Sequence, residues 1–446
     1  MTDRKLASSE PAEAGATATI PPPRDRSLAS ERARTSYRWT ICALLFAATT
    51  INYIDRQVIG ILAPTLQREL GWTEVQYAQI VSWFSLAYGV GFLLVGRLLD
   101  RIGVRRGLAY SIVAWSIAAI GHAFARGAAT FSAARALLGL GESGNFPGSI
   151  KAVAEWFPKK ERALATGIFN AGSNMGAVLA PLLVPWITIH WGWQWAFIAT
   201  GALGFIWLVL WLAVYRDPAQ SPHVSHAELE HIRSDPAESA EMIPWRRLLG
   251  YRQTWAFVIG KAMTDPVWLF YLFWLPKFLD ANWGVKLSNL ALPLIAIYVL
   301  ADVGSITGGW FSSALISRGF TVNRGRKTAM LVAALLIVPT MLAPRMGSLW
   351  GAVAVVSVAA AAHQWWSCNL FTMVSDMFPR RAVASVVGIG GFIGAISSVL
   401  FQRATGHILQ ATGSNYGIIF AFCGVAYVLA LGIMHLLAPR MRVAEV

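Results

Sequence analysis

Arg135-Ala-Leu-Leu-Gly-Leu-Gly-Glu142-Ser-Gly-Asn-Phe-Pro147 is the stretch on which the reading of this chain turns. It lies in an apolar run over about 131–150, long enough to cross a bilayer as a helix. Arg135 and Glu142 are two helical turns apart, so they share a face. Gly139 and Gly141 lie between them, where a neighbouring helix or a ligand can approach closely. An ionised side chain at mid-membrane costs about 2.5–3.5 kcal/mol, so two on one stripe are expected to line a polar cavity. The competing reading is a structural ion pair that clamps helices together.

Working outward, the composition supports the membrane reading. Of 446 residues 56% are hydrophobic and 13% charged, with 20 Trp, more apolar surface than a soluble core needs. A net charge of +14 would suggest nucleic acid in a soluble chain. Here the basic residues sit in short loops between apolar runs and set topology, so a lipid bilayer and no nucleic acid is expected. Cys42, Cys368 and Cys423 all fall in apolar runs, which predicts no disulfide framework. Residues 1–36 are rich in Ala, Pro and Ser and read as a disordered tail, without the short apolar core of a cleaved signal.

Apolar runs predict helices near 39–62, 76–98, 106–125, 131–150, 163–187 and 193–214, then 254–279, 289–315, 328–343, 349–373, 383–402 and 416–437. The fold class is therefore all-α and polytopic, with twelve transmembrane helices in two six-helix bundles. The bundles are expected over 37–215 and 254–438, joined by a linker over 216–253 and followed by a short tail over 439–446. Within the linker, Ser225 three residues before Glu228 predicts a capped short helix. Arg97, Arg101, Arg105, Arg106, Lys151, Lys159, Lys160, Arg162, Arg318, Arg324, Arg326, Lys327, Arg380 and Arg381 crowd one set of loops, which places those loops and both termini in the cytoplasm. Phe157-Pro158-Lys159-Lys160 with Gly167-Ile168 is echoed by Phe378-Pro379-Arg380-Arg381 with Gly388-Ile389, the mark of a duplicated half. The same offset sets Glu142 opposite His363.

Gly96-Arg-Leu-Leu-Asp100-Arg101-Ile-Gly103-Val-Arg105-Arg106-Gly107 stands between the second and third predicted helices. It resembles the signature loop of the major facilitator superfamily. Gly96, Asp100, Arg101 and Arg105 are read as a conformational latch, since a glycine permits close helix contact and an acid can bind arginines. Within that superfamily the chain resembles the anion:cation symporter family from Trp39 to Pro439, and the likeness runs toward the proton-coupled hexuronate transporters. It is carried by Asn52-Tyr53-Ile54-Asp55-Arg56-Gln57, the 135–147 stretch, Ala154-Glu155-Trp156-Phe157-Pro158, Trp191-Gly-Trp-Gln-Trp195 and Thr264-Asp265-Pro266-Val-Trp268.

The resemblance implies proton symport of a sugar acid anion by alternating access, in a monomer in the bacterial cytoplasmic membrane, with the proton gradient as driving force and no cofactor. It implies that Asp55, Arg56, Arg135 and Glu142 shape binding and coupling. Independently, Arg56 offers a permanently charged planar fork for a carboxylate. Asn52, one turn earlier, can reach a hydroxyl. Asp55 is expected to pair with Arg135, and Glu142, in surroundings that penalise charge, is a natural proton carrier. Tyr53, Tyr88, Asn145 and Asn170 complete the substrate contacts expected of the first half. Tyr271, His363, Trp366 and Asn369, with Trp365 and Ser367 beside them, are those expected of the second. For each aromatic the competing role is packing in the membrane. Lys261, four residues before Asp265, reads equally as a structural pair, and Asp302 is a further intramembrane acid.

Other classes fare less well. Ala180-Pro181-Leu182-Leu183 stands where an antiporter is expected to carry a Gly-Pro pair and further glycines. No nucleophile elbow, metal-ligand cluster or phosphate loop suggests an enzyme. An aldonate or aldarate carrier and a signalling receptor remain open at this stage.

Overall fold

The computed structural model describes residues 36–234 and 243–444, apart from the side chains at 96, 97, 100, 159, 160, 163, 380, 381 and 384. The tail expected over 1–36 therefore lies outside the described residues save its last, as do Gly96 and Asp100 of the expected latch.

All regular structure among the described residues is helical. The first half holds α1 (Arg38–Leu70), α2 (Glu74–Ile102), α3 (Val104–Gly121), α4 (Ala128–Glu142), α5 (Asn145–Trp156), α6 (Lys159–Trp191) and α7 (Trp193–Val214). Two short helices, α8 (His226–Ile232) and α9 (Trp245–Leu248), lie in the linker. The second half holds α10 (Arg252–Trp283), α11 (Ala291–Ser317), α12 (Val322–Ile337), α13 (Leu349–Met377), α14 (Arg380–Thr412) and α15 (Gly417–Leu437).

Nine segments among the described residues are long and apolar enough to cross a membrane. The other three predicted crossings are helical too, but they carry the polar groups: Asp55 and Arg56 at the middle of α1, Arg135 and Glu142 on α4, and His363 to Asn369 on α13. The intramembrane charges Asp55, Arg56, Arg135 and Glu142 all lie on crossings outside those nine, whereas Tyr88, Asn170 and Tyr271 lie within them.

The crossing expected over 131–150 is broken into α4 and α5 at Ser143-Gly144. Pro147 explains the break, because it has no N–H to offer the carbonyl one turn back and its ring crowds that carbonyl. α1 runs eight residues past its predicted end, with Pro64 inside it, and stops where Gly71 adopts the left-handed conformation at φ 68°. Thr73 and Gln76 then form a reciprocal capping box that starts α2.

Small residues let the helices pack closely. A methyl group added at Gly139 would fall 2.5 Å from the Phe84 carbonyl of α2, and one at Gly141 would fall 2.6 Å from the Trp115 nitrogen of α3. In the second half α11 lies against α13, where methyl groups at Gly304 and Gly308 would overlap Ala361 and Trp365.

The linker helix α8 has a function at the start of α1. Ser225 caps it as expected, accepting from the Glu228 N–H at 3.2 Å. The fully buried Glu228 carboxylate accepts from the Tyr37 and Arg38 N–H groups, both at 3.1 Å, and from Arg38 Nη1 at 3.0 Å. It thus supplies, from far along the chain, the negative charge a helix N-terminus favours. Arg38 also binds Glu161 of α6 at 2.8 Å, whose other oxygen meets His231 Nε2 at 2.8 Å.

The two halves meet where α2 packs on α14, α1 on α10 and α6 on α11. Bridging hydrogen bonds gather at the end away from the basic loops. Tyr77 Oη donates to the Phe273 carbonyl, Val75 N–H to Gln410 Oε1 at 3.3 Å, and Lys277 pairs with Glu74 beneath Tyr77 and Trp274. That end is closed.

Candidate functional site

The predicted residues of α1, α2 and α4 converge on one guanidinium. Arg56 Nε donates to Glu142 Oε2 at 2.9 Å and its Nη2 to Asn52 Oδ1 at 3.2 Å. Its planar head lies 4.6 Å from the Tyr53 ring, 4.8 Å from Tyr88 and 5.2 Å from Phe84. An arginine suits this position because a weakly hydrated planar cation stacks on rings while its edge donates. The Arg56 side chain remains 8% exposed and the Glu142 side chain 0%, so an incoming anion meets Arg56 first.

Arg135 is fully buried behind this pair. Its guanidinium lies 4.3 Å from the Phe84 ring and 5.3 Å from Phe273, and Nη1 donates to the Arg56 carbonyl at 3.4 Å. The shared face read from the seven-residue spacing is present, since Arg135 and Glu142 both reach Arg56. The expected Asp55–Arg135 pair is not: no ion pair joins them among the described residues, and both Asp55 oxygens are buried without a hydrogen bond. Arg135 is instead drawn over the two phenyl rings, and Glu142 neutralises the α1 arginine.

Buried polar atoms without a protein hydrogen bond cluster here: Asn52 Nδ2, Glu142 Oε1, and Arg135 Nε and Nη2. Such groups are rare in apolar interiors and mark a place that handles charge. Asn145 stands at the start of α5, where Nδ2 donates to Thr49 Oγ1 at 3.2 Å, and its Oδ1 is also unsatisfied. Asn170 of α6 is exposed and has no such tie.

The second half uses its predicted residues differently. His363 stacks on Trp268 at 4.9 Å, 6° from parallel, and its Nδ1 is 2.6 Å from Tyr427 Oη. Asn369 Nδ2 donates to the Gly308 and Trp365 carbonyls at 3.1 and 3.0 Å, clamping α13 to α11. Trp366 is fully buried against Tyr427 at 5.3 Å, and Tyr271 is buried with its Oη 3.3 Å from Thr340 Oγ1. The Tyr271 hydroxyl and Asn369 Nδ2 are tied within this bundle, while Asn369 Oδ1 and Trp366 Nε1 are buried without a hydrogen bond, as the polar atoms around Arg56 are. Of the latch, Arg101 is exposed, while Arg105 donates to the Leu212 carbonyl and ties α3 to α7.

Sequence reading passed over Phe84, Phe273, Trp268 and Thr49, since an apolar or small residue on a membrane helix carries no signal of its own. A signal for Trp268 does exist. Aligning α1 and α10 on their internal prolines, Pro64 and Pro276, sets Arg56 opposite Trp268. With Glu142 opposite His363, the Arg56–Glu142 ion pair of one half corresponds to the Trp268–His363 stack of the other.

Comparison with known proteins agrees with this architecture. Residues 45–402 match the family model of the Major Facilitator Superfamily. The Hexuronate transporter of Escherichia coli (strain K12) is 32% identical over 383 residues, covering 84% of this chain and 88% of that protein. The Galacturonate transporter of Dickeya chrysanthemi is 33% identical over 309 residues, covering 68% of this chain and 89% of that protein. Among solved structures, a bacterial homolog to the human lysosomal transporter Spinster, inward-facing and occupied, superposes with a TM-score of 0.72 at 18% identity, covering 93% of this chain and all of that one. The fold, the family match and these relatives together place the chain in the major facilitator superfamily, as a multi-pass membrane protein whose relatives transport sugar acids.

Proposed function

We propose that this protein imports a sugar acid anion, a hexuronate such as galacturonate or glucuronate, together with a proton. The observation that carries the reading is the Arg56–Glu142 pair, a cation whose internal partner is a carboxylate that can be neutralised by a proton. A substrate carboxylate and Glu142 compete for the same guanidinium. Protonating Glu142 releases Arg56 to the substrate, and Asn52, Tyr53 and Tyr88 stand around it to meet hydroxyls and the sugar face.

Competition for Arg56 gives the coupling. Asp55, buried with neither an ion pair nor a hydrogen bond among the described residues, counts as neutral, so Arg56 and Arg135 face the single charge of ionised Glu142. A proton on Glu142 removes that internal anion and leaves Arg56 to the incoming carboxylate. The basic loops face the cytoplasm and the membrane is the bacterial inner membrane, with closure at the Glu74–Lys277 end holding the outer face shut.

The test is uptake of labelled galacturonate into proteoliposomes under an imposed proton gradient. Accumulation above the external concentration, abolished by a protonophore, is expected. Equilibration without accumulation would leave a carrier that is not a symporter, and no uptake of any hexuronate would remove the substrate class.

A further inference from the structure

At the seam between the two halves, on its lipid side, stands a cation with no partner in the protein. α2 and α14 meet there along one line. Gln402 Nε2 donates to Ser85 Oγ at 2.9 Å, a methyl group at Gly406 would overlap Ala78, and Gln410 Oε1 accepts from the Val75 N–H at 3.3 Å. Gln402, Gly406 and Gln410 recur every fourth position, so they share the face of α14 turned to α2. Arg403 and His407, each one position further on, stand at the edge of that face and are exposed. Opposite them on α2 are Gln79, also exposed, and Trp83, 42% exposed. These four side chains, with Val75, line a cleft of about 280 Å³.

The cleft opens toward lipid and away from the Arg56 site. Leu400, 65% exposed, continues the stripe of Arg403 and His407 one turn toward the basic loops. Val90 and Leu94, also exposed, continue the stripe of Trp83 on α2. Both stripes lie on segments long and apolar enough to cross the membrane, so their exposed aliphatic side chains face acyl chains. Arg403 lies nine residues before the end of α14 at Thr412, about 14 Å along the axis. A guanidinium on a lipid face there is costly unless its head reaches polar surroundings. Neither Arg403 nor His407 has an ion pair or hydrogen bond among the described residues. The charge bias that fills the opposite loops with basic residues gives no reason for an arginine at this end.

What these residues offer together is a seat for phosphate. Arg403 presents a permanently charged planar fork, and His407, one turn nearer the helix end, adds a ring nitrogen. Gln79 adds an amide, and Trp83 an amphipathic ring of the kind that settles at headgroup level. No acid lines the cleft, so its charge favours a headgroup of net negative charge. We propose that this cleft binds the phosphate of an anionic phospholipid in the leaflet away from the basic loops. Each half supplies one wall, so parting α2 from α14 dismantles the seat. The bound lipid therefore favours the joined arrangement of that end, because a ligand shifts an equilibrium toward the state it binds better.

Native mass spectrometry of the purified full-length protein tests the seat, with phosphatidylglycerol, phosphatidylcholine and inorganic phosphate as probes. Wild type is expected to retain phosphatidylglycerol in preference to phosphatidylcholine, and inorganic phosphate should not displace it. Arg403→Gln should weaken phosphatidylglycerol binding by about fivefold, the worth of one arginine near a charged lipid surface. Arg345→Gln, which removes an exposed arginine at the same end but outside the cleft, should leave it within about twofold. Equal losses in the two variants would show general surface charge and overturn the seat. Unaltered binding in Arg403→Gln, equal retention of both lipids, or displacement by free phosphate would overturn it too. If Arg403→Gln does not fold, His407→Ala decides, and unchanged phosphatidylglycerol binding there overturns the proposal. In nanodiscs, spin labels at Gln194 and Ala281 should lie closer together in phosphatidylglycerol than in phosphatidylcholine, with the difference lost in Arg403→Gln. The same distance in both lipids would overturn the effect on the two halves.

Discussion

Arg56 is where the account is most exposed to a single substitution. Its fork meets Glu142 and Asn52 with separate nitrogens while its face lies on Tyr53 and Tyr88. Lysine keeps the charge but has neither the fork nor the plane. Arg56→Lys is therefore expected to weaken galacturonate binding by about tenfold to a hundredfold, as one charged hydrogen bond is worth; calorimetry showing near-normal affinity would remove the clamp. The first-half residues were legible because intramembrane charges are few and spacing fixes the face they share. What spacing leaves open is which neighbour a side chain meets. Asp55 and Arg135 look like partners in the sequence, yet Glu142 takes Arg56 and Arg135 settles over Phe84 and Phe273. Asn369 shows the same limit: only its contacts reveal that Nδ2 clamps α13 to α11 while Oδ1, like Trp366 Nε1, is buried without a hydrogen bond.

At the scale of elements, hydropathy placed the helices, and the departures have local causes. The α4–α5 break follows from Pro147, a residue visible in the sequence whose weight was lost among apolar neighbours. The contact of α8 with α1 and α6 has a pH dependence of definite sign. Burial alone would push the Glu161 carboxyl up, but hydrogen bonds from Arg38 and His231 outweigh it and hold the group below its usual range. A depressed carboxyl contributes stability that is present above its unfolded value, about 4.3, and lost as pH falls through the folded one. Protection of the 226–232 amides, taken relative to the intrinsic exchange rate at each pH, should therefore fall as pH drops below about 4, with Glu161→Gln removing that step. Protection in the unmodified chain that stays constant through this window would show that Glu161 does not hold the contact.

For the whole molecule, contacts between the halves gather at the Glu74–Lys277 end, and Lys277 is 6% exposed there. Glu74→Gln would leave that ammonium buried without its counter-charge, a loss of about 3–5 kcal/mol when one partner of a buried pair is removed. The variant should favour opening, so spin labels at Gln194 and Ala281, on exposed ends of the two halves, should move apart relative to the same labels in the unmodified chain. An unchanged distance distribution would assign the closure to other contacts. Coupling is likewise a property of the whole cycle, and Glu142→Gln reaches it most directly. Glutamine keeps the shape and hydrogen bonding of the protonated acid but cannot release a proton. In proteoliposomes the variant should bind galacturonate and exchange labelled for unlabelled substrate, yet fail to accumulate it under an imposed proton gradient. Uphill uptake at a rate near that of the unmodified protein would contradict the proposal that substrate and proton are coupled through competition for Arg56.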